Sequence, residues 1–367
     1  MTSRIHVRYL VRGDAKSIAA RAEGIAVEQS VEMPVEPIGN PFVIDQIIGR
    51  VEDIHDQGNG LFDVRIGLAT ITTGLEAGQL LNMIIGNTSM QDDVTLADAE
   101  FPAEVADAFG GPRHGLAGLR ERLRAPVRAL TATALKPQGS SAAFLAKLAG
   151  DIALGGIDYI KDDHGIANQF YSPYAERVPA IAEAVARGAA RTGVPTRYLP
   201  SLNGNLDAMR GQIGLARSCG LDCVLIAPLI AGLAQFQTLV TENPDFAFMT
   251  HPTMSGTARI RPSFLLGKLF RMLGSDATVF ANYGGRFGYT AEECGLLSRF
   301  ALQDWPGIKP CVPVPAGGML LERIPEMLNF FGTDVMLLIG GSLLSTRERI
   351  AAETARYVEA VRAAAKG

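Results

Sequence analysis

Near the middle of the chain a short apolar stretch ends in a run of ionisable side chains. Ile157-Asp158-Tyr159-Ile160 leads into Lys161-Asp162-Asp163-His164 and then Gly165. A strand of that composition is buried along its length, so four titratable groups at its end need a cleft, partners or a metal ion. Carboxylates beside a lysine suit hard-cation binding, proton transfer, or both. Side chains alternate along a strand, so Asp162 faces away from Asp163 and is expected in a structural ion pair. Standing alone, the run would fit a solvated loop; its surroundings point elsewhere.

Short aliphatic or β-branched runs recur at 127–135, 157–160, 197–202, 222–227, 246–250, 277–281, 311–314 and 334–339. Polar or Gly-rich breaks follow them, and stretches such as 173–190, 206–218, 263–273 and 347–365 read as helices. Eight strand–helix units in about 240 residues have the length and period of a (β/α)8 TIM barrel. The competing doubly wound sheet usually carries a Gly-rich phosphate loop after its first strand, and Leu135-Lys136-Pro137-Gln138-Gly139 is not one. Barrels place their chemistry at the C-terminal strand ends. Those ends are Lys136; Lys161, Asp163 and His164; Asn203; His251; Asn282; Gly317-Gly318; and Gly340-Gly341-Ser342. Their convergence on one rim points to an enzyme.

The first 125 residues differ. Segments 6–12 and 62–71 read as strands, 16–22 and 76–87 as helices, and a stretch rich in Asp, Ala and Glu leads through 109–115 to the barrel. The expected fold is α/β: a small α+β, ferredoxin-like domain over 1–125, then the barrel over 126–367 carrying the active site.

At 367 residues, 47% hydrophobic and 20% charged, the composition is that of a globular protein of about two domains. A net charge of -4 with interleaved signs gives no nucleic-acid footprint, and no apolar run approaches the ~18 residues of a membrane span. Cys219 and Cys223 lack zinc spacing, and a disulfide framework is not expected in a chain this large. The N-terminus reads as a strand, so a cytoplasmic protein is expected. Cys311 is expected as an inert core thiol, and His6, His55 and His114 in surface or packing roles.

Taken together, these motifs resemble the ribulose bisphosphate carboxylase large chain and, more closely, the RuBisCO-like proteins. Leu135–Gly139 is similar to the family's lysine-proline-lysine motif, and Gly155–His164 to its Gly-Gly-Leu-Asp-Phe-Thr-Lys-Asp-Asp-Glu segment, with Asn168-Gln169 continuing it. Val314–Gly318 and Leu338–Ser342 resemble its two glycine turns, and Gly111–Leu123 its entry to the barrel. Glu28-Gln29-Ser30 and Ile85-Gly86-Asn87 resemble an acidic site and a substrate contact that the family supplies from a neighbouring subunit. The resemblance implies that Lys161 becomes a carbamate with CO2 and, with Asp163, holds Mg2+. It implies that Lys136 transfers protons and that His251 belongs to the catalytic set. Asn87, Gly317, Gly318, Gly340 and Gly341 would bind substrate, the glycines its phosphate. It also implies a homodimer with shared active sites.

Departures from the family pattern shape the expected activity. Gln138 replaces the second motif lysine, and the loop 284–289 offers only Arg286 where the carboxylase has a lysine. Without that lysine, CO2 becoming a carboxylate loses a stabilising charge, so a non-carboxylating protein is expected. His164 replaces a glutamate. It could ligate Mn2+ or another divalent ion, or act as an acid/base beside Mg2+, or mark a metal-free site. The leading expectation is metal-assisted enolisation or isomerisation of a phosphorylated ketopentose such as 5-methylthioribulose 1-phosphate, in sulfur salvage. Two alternatives stay open: a decarboxylase or transcarboxylase on a phosphorylated 3-oxo-sugar acid held by Arg286, and a degenerate sugar-phosphate-binding protein.

Overall fold

The computed structural model describes residues 2–125 and 128–364, so Val127 of the first expected barrel strand and Ala365 of the last helix lie outside it. Four antiparallel strands, β1 (Arg4–Arg12), β2 (Arg50–Asp56), β3 (Leu61–Ala69) and β4 (Val94–Glu100), form an N-terminal sheet in the order β2-β3-β1-β4. The helices Ile18–Glu28 and Ala77–Ile85 follow β1 and β3, which makes the split β-α-β arrangement of a ferredoxin-like unit. Alternation explains the centre of this sheet: Ile5, Val7, Tyr9 and Val11 of β1 are all buried.

Two of these strands escape sequence patterning. β2 is an edge strand with no buried residue and with charges at Arg50, Glu52, Asp53 and Asp56. β4 carries acidic residues that read as loop, but Lys268 holds Asp98 at 2.8 Å and Arg65 holds Glu100 at 2.9 Å. The helix expected over 16–22 runs on to Glu28, and the one expected over 76–87 ends at Ile85, with Asn87 opening a short 3-10 turn.

Eight parallel strands follow. They are β5 (Leu130–Leu135), β6 (Tyr159–Asp162), β7 (Arg197–Leu199), β8 (Cys223–Ile226), β9 (Ala247–Thr250), β10 (Ala277–Ala281), β11 (Val312–Ala316) and β12 (Met336–Ile339). Their order, β7-β6-β5-β12-β11-β10-β9-β8, closes through the Ser201–Leu225 bridge into a barrel. β11 contains Pro313 and Pro315, which remove two N–H donors from a central strand. Val312 donates to Asp276 on the β10 side, so by alternation both prolines face β12. The β11–β12 ladder accordingly shows a single paired position, Ala316 with Leu338, against five between β10 and β11.

The helices Tyr174–Thr192, Leu206–Ser218 and Ile350–Ala364 match the amphipathic stretches. The stretch 263–273 is helical with wide π-type turns over Ser263–Leu269 before an α-helical end. No described helix is long and apolar enough to cross a membrane.

Candidate active site

Strand alternation sorts the barrel interior into layers. Leu130, Ala132, Tyr159, Leu199, Leu225, Met249, Val279, Val314 and Leu338 pack together in the lower barrel. The segment containing helix Gly115–Glu121 closes the bottom with Leu116, Leu119 and Leu123, and Tyr159 donates its hydroxyl to Leu119 O at 3.0 Å. Two residues further along each strand the mouth layer begins. Ala227, Ala281, Ala316 and Gly340 are small there, while Lys161 and His251 carry functional groups. The barrel is thus plugged below and left open above, where its polar side chains project.

Lys136 follows β5, and its Nζ lies 2.7 Å from Asp163 Oδ2 beyond the end of β6. His164 Nδ1 approaches the other Asp163 oxygen at 3.5 Å. Burial alone would raise the Asp163 carboxyl; the contacts from His164 and Lys136, with the charge on Lys161, outweigh it and hold the group well below the usual range. Lys161 is buried, and its Nζ donates to the main-chain oxygen of Asp162 at 2.9 Å. Burial pulls this amine down to about 8, against the opposing pull of Asp163 and aided by the charge on Lys136.

His251 stacks on His164 with ring centroids 4.0 Å apart. Its Nδ1 accepts the Thr253 N–H at 3.3 Å and lies 2.6 Å from Thr253 Oγ1. A main-chain N–H can only donate, so Nδ1 is an acceptor and the neutral ring carries its proton on Nε2. Burial, with Lys161 and His164 nearby, depresses this imidazole to about 2.

Other strand-end residues turn out to be structural. Asp162 is fully buried on the opposite face, paired with Arg177 at 3.3 Å and accepting from Tyr198 and the Ser201 N–H. Asn282 points outward to Met327 Sδ, and Asn203 is tied to Ser201 and Gln212. Gln138 donates to Gly165 O at 3.1 Å, joining the loops after β5 and β6. Cys311 is buried, and burial pushes its thiol up to about 12. His6 and His55 pair with Glu52 and Asp53 in the N-terminal sheet, and the His114 N–H binds Asp276 below the barrel.

The glycine turns suit an anion. Gly317 and Gly318 have φ of +88° and +66°, a region that favours glycine. Among the described residues, the N–H groups of Gly317, Gly318, Met319, Gly340 and Gly341 meet no main-chain acceptor. A Cβ on Gly317, Gly340 or Gly341 would meet nothing within 4 Å, so the space before them is open. Arg286 is exposed on the loop after β10, its guanidinium 4.7 Å from the Phe287 ring and without an ion pair among the described residues.

In the N-terminal domain Asn87 Nδ2 donates to Glu28 at 3.0 Å and to Glu32 at 2.8 Å. Buried Gln29, which sequence reasoning placed only within the Glu28-Gln29-Ser30 motif, fixes this corner. It accepts from Thr88 N and Oγ1 and donates to Asn82 O and Met83 O. Among the described residues no hydrogen bond or ion pair joins Glu28 or Asn87 to Lys136, Lys161, Asp163 or His164 of the same chain.

Among the described residues no three His, Cys, Asp or Glu side chains form a ready-made metal site. The mouth offers one carboxylate, Asp163, and two stacked imidazoles, His164 and His251, of which His164 is the one beside Asp163. A buried Lys161 amine that burial pulls down to about 8 is suited to reaction with CO2, and a carbamate there would add a second hard oxygen ligand beside Asp163. With that addition the donors fit a divalent ion.

Residues 115–367 match the family model of the ribulose bisphosphate carboxylase large chain, catalytic domain. The chain is 52% identical over 366 residues, 100% of its length and 98% of the relative's, to a 5-methylthioribulose-1-phosphate isomerase of Rhodospirillum rubrum. It is 51% identical over 361 residues, 98% of each chain, to ribulose bisphosphate carboxylase-like protein 1 of Rhodopseudomonas palustris. A crystal structure of a Rubisco-like protein from Rhodopseudomonas palustris superposes with a TM-score of 0.93 at 47% identity, covering 99% of this chain and 98% of that one.

Proposed function

The chain belongs to the ribulose bisphosphate carboxylase large-chain family, and from that premise we propose that it is a RuBisCO-like isomerase of 5-methylthioribulose 1-phosphate in methionine salvage. The observation that carries this reading is the Lys136–Asp163 contact of 2.7 Å beside buried Lys161, in a chain so close to an isomerase of that name.

Isomerising a ketose phosphate requires a proton to leave the carbon next to the carbonyl and another to return at a neighbouring carbon. Asp163 holds Lys136 Nζ over the mouth, where it moves that proton. The Nε2–H of His251, fixed by Thr253, donates to an oxygen of the substrate as negative charge gathers on it. The free N–H groups of the two glycine turns take the phosphate and so orient the sugar. Lys161 as a carbamate, Asp163 and His164 would hold a divalent ion, Mg2+ or Mn2+, whose charge polarises the ketone. Glu28 and Asn87 complete the mouth of the partner subunit in a homodimer.

The protein does not fix CO2 in this reading, because the loop after β10 offers Arg286 and no lysine. The test is direct. With 5-methylthioribulose 1-phosphate the purified protein should yield a product of unchanged mass, and with ribulose 1,5-bisphosphate and labelled bicarbonate it should fix no label. Label in an acid-stable product would overturn the second statement, and unaltered methylthio sugar the first.

One observation favours a second reading. Arg286 is a solvent-facing guanidinium without a carboxylate partner among the described residues, as a group that binds a carboxylated sugar would be. If so, a phosphorylated 3-oxo-sugar acid should lose CO2 with the wild-type protein and not with Arg286→Gln.

A further inference from the structure

The loops after β10 and β11 touch through their glycines. A Cβ on Gly285 would fall 3.1 Å from Gly317 O, and one on Gly318 would fall 3.0 Å from Gly285 Cα. Arg323, in the short 3-10 turn Leu321–Arg323 beyond that crossing, binds both loops at once. Its NH1 donates to Gly318 O at 3.2 Å and to Tyr283 O at 3.4 Å. Its Nε and NH2 hold the two Glu326 oxygens at 2.9 Å each, Tyr283 donates its hydroxyl to Glu326 at 2.9 Å, and the guanidinium lies 5.3 Å from the Tyr283 ring.

The peptide geometry gives this contact a consequence for anion binding. In a trans peptide the N–H points opposite to the C=O, so holding Gly318 O on Arg323 turns the Met319 N–H the other way. Holding Tyr283 O does the same for the Gly284 N–H. A carbonyl oxygen facing a phosphate would repel it, and here the guanidinium keeps both carbonyls occupied. Neither Arg323 nor Glu326 stands at a strand end where chemistry is expected.

We propose that Arg323 is a positioning residue that rivets the Arg286 loop to the Gly317-Gly318 turn, so that phosphate binding on the turn and the position of that loop are coupled. The inference rests on the reading of the glycine turns as a phosphate site. A clip of charge-assisted hydrogen bonds with a planar fork is not reproduced by lysine, which can serve one carbonyl as a point charge.

The experiment compares wild type with Arg323→Lys and Glu326→Gln, each checked for a native circular dichroism spectrum. Inorganic phosphate and 5-methylthioribulose 1-phosphate are titrated, and trypsin cleavage after exposed Arg286 is followed by mass spectrometry. In wild type either ligand should slow that cleavage. In both variants the protection should be lost, with KM for the sugar phosphate raised about ten-fold and kcat changed far less, the split expected when phosphate binding is weakened equally in the ground and transition states. Millimolar guanidinium should restore protection in Arg323→Ala. Protection and KM equal to wild type in the variants would overturn the clip while leaving the phosphate site standing. A wild-type protein that binds neither ligand would overturn the phosphate reading itself, and the clip with it.

Discussion

Lys136 and Asp163 come from neighbouring strands, yet their side chains meet at 2.7 Å above the open end of the barrel. Asp163 lies two residues beyond Lys161 on the same strand face, so one carboxylate orients one lysine and bears on the charge of the other. Replacing Lys136 should therefore remove a proton carrier without disturbing the core. Lys136→Ala should lower kcat by about 10²–10⁴-fold, the usual range for a positioned acid or base, with an unchanged melting temperature. Steady-state kinetics with thermal melts would check it.

Lys161 near 8 sets a pH dependence with a definite sign. Its neutral amine, the form that reacts with CO2, grows as pH rises through 8. With 13C-bicarbonate and Mg2+, carbon NMR should show a carbamate signal that increases from pH 7 to 9. Lys161→Arg should show none and should be inactive. Removing divalent ions with a chelator should silence the wild type, and Mg2+ should restore it.

The two ends of β6 are expected to separate stability from catalysis. Asp158, fully buried at the lower end, accepts from NH1 and NH2 of Arg128 at 2.6 Å each and from Thr131 N and Oγ1 at 2.9 Å. Asp158→Asn leaves a buried guanidinium contact uncompensated and should cost about 3 kcal/mol. Urea unfolding would measure this, while kcat at a permissive temperature should stay near wild type.

Much of the architecture is legible in the sequence because parallel strands buried on both faces read as unbroken apolar runs. All eight barrel strands fall at the expected places, Ala277–Ala281 to the residue. The Lys161–Asp163 face and the outward turn of Asp162 follow from alternation alone. The missed strands are those whose side chains contradict the pattern: β2 is charged along an exposed edge, and the acids of β4 are matched by Lys268 and Arg65 from elsewhere in the chain. Tertiary partners of this kind leave no local trace. The same holds for Thr253, Gln29 and Arg323, whose importance lies wholly in which main-chain and side-chain atoms they reach.

A shared active site makes a quantitative prediction about mixed subunits. If Asn87 serves the partner's barrel, Lys136→Ala and Asn87→Ala proteins should each be nearly inactive alone. Mixed and allowed to exchange subunits, half of the dimers are heterodimers with one intact site each, so about a quarter of wild-type activity should return. No recovery after exchange, shown by native mass spectrometry, would place Asn87 in its own subunit's site or outside catalysis.

Exchange of a carbon-bound proton reports directly on enolisation at the barrel mouth. The protein with Mg2+ and bicarbonate is incubated with 5-methylthioribulose 1-phosphate in D2O and followed by proton NMR. The signal from a carbon beside the carbonyl should be lost, at a rate abolished in Lys136→Ala. A spectrum unchanged by the folded wild-type protein, or exchange at equal rates in wild type and Lys136→Ala, would contradict proton transfer by Lys136.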